Sequence, residues 1–454
     1  MFTKGKMLVP SLILVIALVM ASGFAAANQE FDFNGETLKF QTRWWGVTPL
    51  GPRNEFDWYG PDSLLQAHIE EIEEMFNCKI EWVEPGEWFG DQSFLVTHMM
   101  AGDLPFHFTH LEEERMAIQA SLGTLAPLED VLEDDFYEGY PDLFKSDVRN
   151  PGYTFGNHVY GFEALNFQRE VVGIIWNIDL FEREGLPNLY ELYENGEWTY
   201  EVMADIARKA TKDTDGDGVI DQMGLYVDPQ RFYTHAVYSF GGSFERNANG
   251  KIEFALNDPK SLQGLEFAVG LFREGVANAD YWGKRRDGNF AMGYYYVHDL
   301  PNVGQNSTDR FGIVPPPKGP GSDEHLVDIW SQWMGVIPLG VENPRGVIEV
   351  AKALFGLSEP YIADMSAWED NWWYVSPGHG NYIQDMETFE NWQWMLGNAR
   401  GLLAPYLKMA IKMADWDWWT KFHNAVVTDG QSISAYIDQW TPVIQAELDS
   451  VLGQ

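Results

Sequence analysis

Four aspartates lie between positions 213 and 221, where carboxylates alternate with other residues and Gly218 holds the sixth place. Alternate residues of a tight loop can point inward together, and Ca²⁺ prefers about six to eight oxygen ligands. The candidate ligands are Asp213, Asp215, Asp217, the Val219 carbonyl and Asp221. The twelfth position is Gly224 rather than the bidentate Glu of an EF-hand, so water or a remote carboxylate must complete the site. The sequence predicts a structural calcium loop; the alternative is a solvated acidic turn.

Two histidines, His107 and His110, form an H-x-x-H pattern that a metal could use. The segment 105–109 has the pattern of a strand, in which these two side chains would face opposite ways. We therefore favour no metal there. The chain also contains no G-x-S-x-G, P-loop or G-x-G-x-x-G motif, so the common nucleophile and nucleotide signatures are absent.

Carboxylates could also do glycosidase chemistry, which needs two of them flanking one bond. No spacing among the 68 acidic residues picks out such a pair. Glu163 and Asp299 lie near predicted loops, and we interpret them as hydrogen-bonding to a ligand or to neighbouring backbone. We therefore predict that the protein is not an enzyme.

Tryptophans recur in clusters, of which the chain has three: Trp44 with Trp45, Trp330 with Trp333, and Trp368 with Trp372 and Trp373. Indole faces match the C–H face of a pyranose, and the indole N–H can bond a hydroxyl. Trp330 and Trp333 are predicted to lie in a loop that brackets Ser331 and Gln332. Core packing is the alternative for most of the 19 tryptophans.

The elements that would position these residues follow an α/β pattern. In the first part, strands are predicted at 38–44, 79–83 and 106–108, with helices starting at 61–63 and covering 94–100. Further along, strands are predicted at 171–177, 311–314 and 336–338, and helices after Thr199 and at 262–274, 347–357 and 433–452. This alternation is typical of parallel sheets covered by helices.

The length, net charge and cysteine count of the chain exclude some classes of protein. A chain of 454 residues is long enough for two or three domains. Its 30 basic and 68 acidic residues give a net charge of −38, which excludes nucleic acid as a natural partner. Cys78 is the single cysteine, so the chain has no disulfide framework.

The N-terminus is typical of an export signal. Lys4 and Lys6 precede an apolar run at 8–20, and alanines at 25–27 offer a cleavage site. We predict a signal peptide at 1–27 and a periplasmic or secreted mature protein; an uncleaved anchor is the alternative. No cysteine follows the run, so the usual lipid attachment point is missing.

Six motifs in order resemble those of the bacterial extracellular solute-binding proteins of family 1, the maltose-binding-protein-like receptors of ABC importers. They are the AGDLP turn at 101–105, VYGF at 159–162, IWNIDLF at 175–181 with GLP at 185–187, WTYE at 198–201, NFAM at 289–292 and FGIVPPPKGP at 311–320. Phe106 stands where the family usually has Asp. The resemblance covers most of the mature chain.

This resemblance implies an α/β fold of two lobes, type II-like, with a ligand cleft between them that closes by a hinge motion. The N-terminal lobe would hold 31–150 and about 325–375, and the C-terminal lobe 151–324 and about 376–454. Carried over by position, the expected ligand contacts are Trp44, Trp45, Asp103, Glu163, Trp176, Tyr295, Trp330, Gln332, Trp333, Trp372 and Trp373.

We therefore expect a monomeric receptor that binds a neutral sugar, most simply an oligosaccharide, and docks on the permease subunits of an ABC importer. Scarce lysines and arginines favour an uncharged solute. Two other classes stay open at this point: a secreted glycan hydrolase and a stand-alone calcium-dependent sugar-binding module.

Overall fold

The structure, a computed structural model, describes residues 31–41, 62–83, 93–132, 153–155, 158–162, 169–355 and 385–454. At 62–68, 169–170, 298, 301, 330–333, 355 and 396 it describes the backbone alone. These residues divide into two compact units. The first comprises the described residues up to 162 and 333–355, and the second comprises 169–332 and 385–454.

Helices and strands alternate along the first unit, as the sequence predicts. Their bounds are β1 Glu36–Gln41, α1 Asp62–Phe76, β2 Cys78–Val83, α2 Phe94–Ala101, β3 Phe108–Glu112, α3 Glu113–Ser121, β4 Thr154–Phe155, β5 His158–Val159 and β6 Gly161–Phe162.

The rest of the chain begins with a long strand and ends in helices. The bounds are β7 Arg169–Asn177, α4 Ile178–Glu184, α5 Leu189–Glu194, α6 Tyr200–Ala210, β8 Met223–Val227, α7 Pro229–Ser239, β9 Glu245–Ala248, β10 Lys251–Phe254, α8 Pro259–Arg273, β11 Ala277–Asn278, α9 Tyr281–Lys284, β12 Phe290–Tyr296, β13 Phe311–Val314, β14 Ile329–Val336, α10 Pro344–Phe355, α11 Met386–Asn398, α12 Pro405–Ala414, α13 Trp418–His423 and α14 Ile433–Leu452.

The first unit is built on a sheet whose strands β1, β2 and β3 run parallel. Leu38 of β1 pairs with Ile80 of β2, and Phe40 pairs with Phe108 of β3. Helix α1 makes the crossover from β1 to β2 and buries the stripe that its spacing predicts, Ile69, Ile72 and Phe76. The second half of β14 then closes the sheet, antiparallel to β3.

The second unit is built around β7, whose apolar run from Val171 to Trp176 is buried. A strand that is apolar on both faces needs helices on both sides. It pairs antiparallel with β12 and β13, while β8 runs parallel to β12 and β11 runs parallel to β8. Helices including α6, α7 and α8 supply the buried apolar side chains that cover this sheet.

Two predicted strands are wrong in their bounds. The strand predicted at 106–108 is instead β3, Phe108–Glu112. The loop predicted for Trp330 to Trp333, and the strand predicted at 336–338, are both replaced by β14, Ile329–Val336. Its polar and aromatic composition did not indicate a strand, and the ladders on either side decide its conformation. Ile329 pairs with Val171 of β7, and Trp333 pairs with Glu112 of β3.

The boundaries of the two units also differ from the predicted lobe boundaries. Residues 153–162 were predicted in the C-terminal lobe but belong to the first unit, where Tyr153 and Phe162 are buried in the core. Residues 325–332 were predicted in the N-terminal lobe but belong to the second, through the pairing of Ile329 with β7. Strand pairing, which the motifs do not reveal, sets both boundaries.

Candidate functional site

The acidic loop connects α6 to β8 and is closed at its base by backbone hydrogen bonds between Lys212 and Gln222. Asp213 organises it: its Oδ1 accepts a hydrogen bond from the Gly216 amide at 2.6 Å, and its Oδ2 from the Gly218 amide at 2.7 Å. Both glycines have a positive φ, 82° and 90°, which side-chain-bearing residues rarely adopt. Hydrogen bonds within the loop and its two positive-φ glycines therefore define the loop conformation.

Three carboxylates converge in this loop. One oxygen from each of Asp213, Asp215 and Asp221 lies within 4.8 Å of the others. Asp217 instead accepts a hydrogen bond from the Val219 amide at 2.7 Å. Hydrogen bonds from backbone amides lower the pKa of Asp213 and of Asp221, so both stay ionised. An all-oxygen set of this kind fits a hard cation such as Ca²⁺.

A second group of polar and aromatic side chains lies where β8 and β12 end. Because these strands are parallel, their carboxyl ends meet at one edge of the sheet, the usual place for a ligand site in α/β proteins. Asp228 caps α7 by accepting from the Arg231 amide at 3.1 Å, and its carboxylate pairs with the Arg231 guanidinium at 2.7 Å. That guanidinium also lies 4.2 Å from the ring centroid of Tyr296, whose hydroxyl it contacts.

Tyr295, a predicted ligand contact, is only 2% exposed. Its ring stacks on Tyr281 with centroids 4.4 Å apart and meets the edge of Trp282 at 4.9 Å. Trp282 is 50% exposed, so it is the ring that this group presents to solvent. Trp282 is not among the predicted contacts, because no other tryptophan lies near it in the sequence; the aromatic pair Tyr281-Trp282 that follows β11 is the pattern that could have identified it.

Asp299 is 3% exposed, and the partners described below are side chains rather than the neighbouring backbone interpreted from the sequence. Its Oδ1 accepts from the Asn302 amide group at 2.9 Å, and its Oδ2 lies 3.1 Å from Nε of Arg285. Burial raises the pKa of Asp299, while the guanidinium opposes that shift. The carboxylate is therefore engaged in an internal ion pair.

Trp176, another predicted contact, belongs to the core of the second unit and is 1% exposed. Phe181 and Tyr190 cover it edge-on, with centroids 4.9 and 5.0 Å away. The indole therefore has no open face in this structure, because the strand that carries it is buried on both sides.

In the first unit, Asp103 is an exposed residue beyond the end of α2. Its carboxylate bonds to Nδ1 of His98 at 2.9 Å. His107 and His110 have different surroundings. Nδ1 of His107 accepts a hydrogen bond from the Lys39 amide at 2.9 Å. His110 is fully buried, and burial lowers its pKa to about 3. The structure does not bring these two histidines together as a pair of ligands.

The other predicted contacts lie outside the described residues or have undescribed side chains, and they stay predictions. Those outside are Trp44, Trp45, Glu163, Trp372 and Trp373. Those described only by their backbone in β14 are Trp330, Gln332 and Trp333.

Comparisons with known proteins identify the fold. No protein-family model matches the chain, and no curated protein matches it. Among solved structures, an ABC substrate-binding protein from Listeria monocytogenes in complex with cycloalternan has a TM-score of 0.62 at 12% identity, over 92% of this chain and 99% of that one.

Two further solved structures give the same result. A cyclic alpha-maltosyl-1,6-maltose binding protein from Arthrobacter globiformis has a TM-score of 0.63 at 14% identity, over 91% and 99% of the two chains. The maltose/maltodextrin-binding domain MalE from Bdellovibrio bacteriovorus, bound to maltotriose, has a TM-score of 0.58 at 15% identity, over 92% and 100%. In the part of the chain that the structure describes, no helix has the length and apolar character needed to cross a membrane. Because the three solved structures match nearly the whole chain, the chain has the two-lobe periplasmic-binding-protein fold of the ABC substrate-binding proteins, as the sequence motifs predict.

Proposed function

We propose that the protein is the substrate-binding receptor of an ABC importer and that it binds an uncharged carbohydrate without altering it. The observation that carries this proposal is the fold, shared over nearly the whole chain with proteins solved with cycloalternan and with maltotriose.

The charges at the carboxyl edge of the second unit's sheet favour an uncharged solute. Arg231 is paired with Asp228, and Arg285 with Asp299. A ligand anion would have to compete with a carboxylate that is already in place, and one of the two, Asp299, is buried. Sugar hydroxyls do not meet this competition.

The test is a thermal-shift screen of the purified protein against maltotriose, maltotetraose, mannotriose, tagatose and ribitol, with glucuronate as the charged control. A solute that binds the native state raises the unfolding midpoint. We expect at least one neutral carbohydrate, and not glucuronate, to do so. Chromatography of the same mixtures after long incubation must return the sugar uncut; cleaved products would favour a secreted glycan hydrolase instead.

Export and docking belong to the same proposal. Residues 1–27 would be removed as a signal peptide, and a monomeric mature protein would deliver its solute to membrane permease subunits from the periplasm or the cell exterior. N-terminal sequencing of the protein from its native host tests the cleavage. Ligand-dependent stimulation of the ATPase activity of the reconstituted transporter tests the docking, and its absence would favour a stand-alone sugar-binding module.

We also propose that the loop from Asp213 to Asp221 binds one structural Ca²⁺. The convergence of three carboxylates supports it, because without a cation their charges repel one another. We expect the purified protein to contain about one calcium per chain by elemental analysis, and a chelator to lower its melting temperature. Asp213→Asn should abolish both effects, whereas Asp205→Asn, which changes an exposed carboxylate on α6, should retain them. A melting curve that does not change with chelator would reject the site.

A further inference from the structure

We propose that the exposed indole of Trp282 is a stacking subsite for a pyranose ring. This inference rests on the proposed carbohydrate-binding function and names the part of the second unit that would grip the sugar.

The indole of Trp282 is half exposed and lies at the edge of the sheet where the parallel strands end. Trp282 is in α9, directly after the carboxyl end of β11, and β11 and β12 both run parallel to β8. It therefore lies at the same edge of the sheet as the Arg231 and Tyr296 group. Its aromatic neighbours Tyr281 and Tyr295 are buried, whereas half of Trp282 is exposed. An indole of this kind can cover the C–H face of a sugar.

The indole is also held in place before any ligand binds. The guanidinium carbon of Arg285 lies 4.2 Å from the Trp282 ring centroid, and Nη1 of Arg285 donates to the Trp282 carbonyl at 2.7 Å. Tyr295 meets the indole at 80°, with centroids 4.9 Å apart. Ordering a side chain on binding costs free energy, and a ring that is already packed avoids much of that cost.

Arg285, which holds the indole in place, is itself anchored in the interior. Nε of Arg285 lies 3.1 Å from the buried Asp299 carboxylate, which in turn accepts from Asn302. The Arg285 carbonyl accepts from the Gly304 amide at 2.8 Å. The Asp299 carboxylate offsets the charge of the guanidinium that contacts the indole, which suits a neutral pyranose.

The chain offers a matched control. Trp416 is 55% exposed and also has a cation near its ring, Nζ of Lys412 at 4.7 Å. It lies between α12 and α13, far along the sequence from the β8–β12 edge. If exposed indoles bind sugars without specificity, the two tryptophans should behave alike; if Trp282 is a subsite, only its removal should matter.

The experiment measures affinity by calorimetry, using whichever of the ring-forming sugars maltotriose, maltotetraose, mannotriose or tagatose binds the wild type most tightly. We expect Trp282→Ala to weaken binding by about tenfold, Trp282→Phe by less, and Trp416→Ala by less than about twofold. In protein labelled with 5-fluorotryptophan, the ¹⁹F resonance lost in Trp282→Phe should be one that shifts when the same probe is added.

Arg285 is expected to act through Trp282 as a positioning residue. Arg285→Lys keeps the charge but loses the planar stack, so it should weaken binding in the wild type and change nothing further in the Trp282→Ala background.

Two outcomes distinguish a failure of the subsite from a failure of the proposed function. If a probe binds the wild type but Trp282→Ala binds it equally well, or the Trp282 resonance does not move at saturation, the subsite is wrong and the receptor function stands. If no probe binds the wild type, the proposed function is rejected and the subsite with it.

Discussion

His235 on α7 should make the second unit sensitive to acid. Its ring is sealed in the core, where Nε2 donates to the Leu326 carbonyl at 2.8 Å and Nδ1 accepts from the Tyr200 hydroxyl at 2.6 Å. A carbonyl can only accept, so Nε2 carries the proton and the ring is neutral. Burial, with a smaller contribution from the nearby His325, lowers the pKa of His235 from its ordinary value of 6.5 to about 4.

The size of the effect follows from linkage. Between pH 6.5 and 4 the unfolded chain binds a proton at this residue that the native state does not bind, so the free energy of unfolding falls as pH is lowered. The stabilisation is fully present above pH 6.5. A difference of about 2.5 pH units corresponds to about 3 kcal/mol in total, of which about 2 kcal/mol is lost between pH 7 and pH 5.

Other groups titrate as well, so the assay must compare the pH dependence of the wild type with that of a variant that lacks His235. Burial lowers the pKa of His110 in the first unit, and it raises the pKa of Asp299 and of Asp328, which act in the opposite direction. His235→Gln keeps a donor for the Leu326 carbonyl and an acceptor for the Tyr200 hydroxyl but cannot be protonated. The free energy of unfolding of both proteins is measured in urea at pH 7, 6 and 5. Because the two units need not unfold together, hydrogen exchange in peptides from 200–239 is used to monitor the second unit.

We expect the wild type to lose about 2 kcal/mol more than His235→Gln between pH 7 and pH 5. Histidine ring resonances offer a second measurement that needs no variant to fold: the buried rings of His235 and His110 should not titrate between pH 7.5 and 5. Equal pH slopes in the two proteins, together with a full set of titrating histidines, would refute the reasoning.

Two further predictions concern packing and capping. A Cβ at Gly224 of β8 would lie 2.1 Å from the Ala207 carbonyl oxygen of α6, so Gly224→Ala should destabilise the second unit by about 1–3 kcal/mol in urea titrations. Gly270→Ala, whose Cβ meets nothing within 4 Å in α8, should instead stabilise it by about 0.5–1 kcal/mol, and equal effects would contradict this account. Asp385 caps α11 by accepting from the Thr388 amide at 2.7 Å; Asp385→Ala should cost about 1 kcal/mol and Asp385→Asn much less, which thermal unfolding can compare.

Local patterns predicted many of the elements well. The spacing of Ile69, Ile72 and Phe76 identified the buried face of α1, and Thr199 was correctly placed as the cap of α6, accepting from Val202 at 3.3 Å. The strand at 311–314 and the last helix at 433–452 have the predicted bounds. In these segments the side-chain pattern within about twenty residues is enough to define the element.

The candidate site was harder to predict, because exposure is not a local property. Trp176 and Tyr295 have the composition of ligand contacts, but strands and rings from distant parts of the chain bury both. Trp282 stands alone in the sequence and becomes the open ring only because Tyr281, Tyr295 and Arg285 pack beneath and beside it.

By itself, the sequence determined the α/β class, the order of most elements, the acidic loop and the six motifs that point to the binding-protein fold, since each depends on neighbouring residues. Tertiary structure alone decided where the two units divide, that 329–336 is a strand, and which aromatic rings remain accessible. The physical reason is that strand pairing and burial join residues far apart in the chain, such as Ile329 with Val171, and no local pattern records which partner a strand will find.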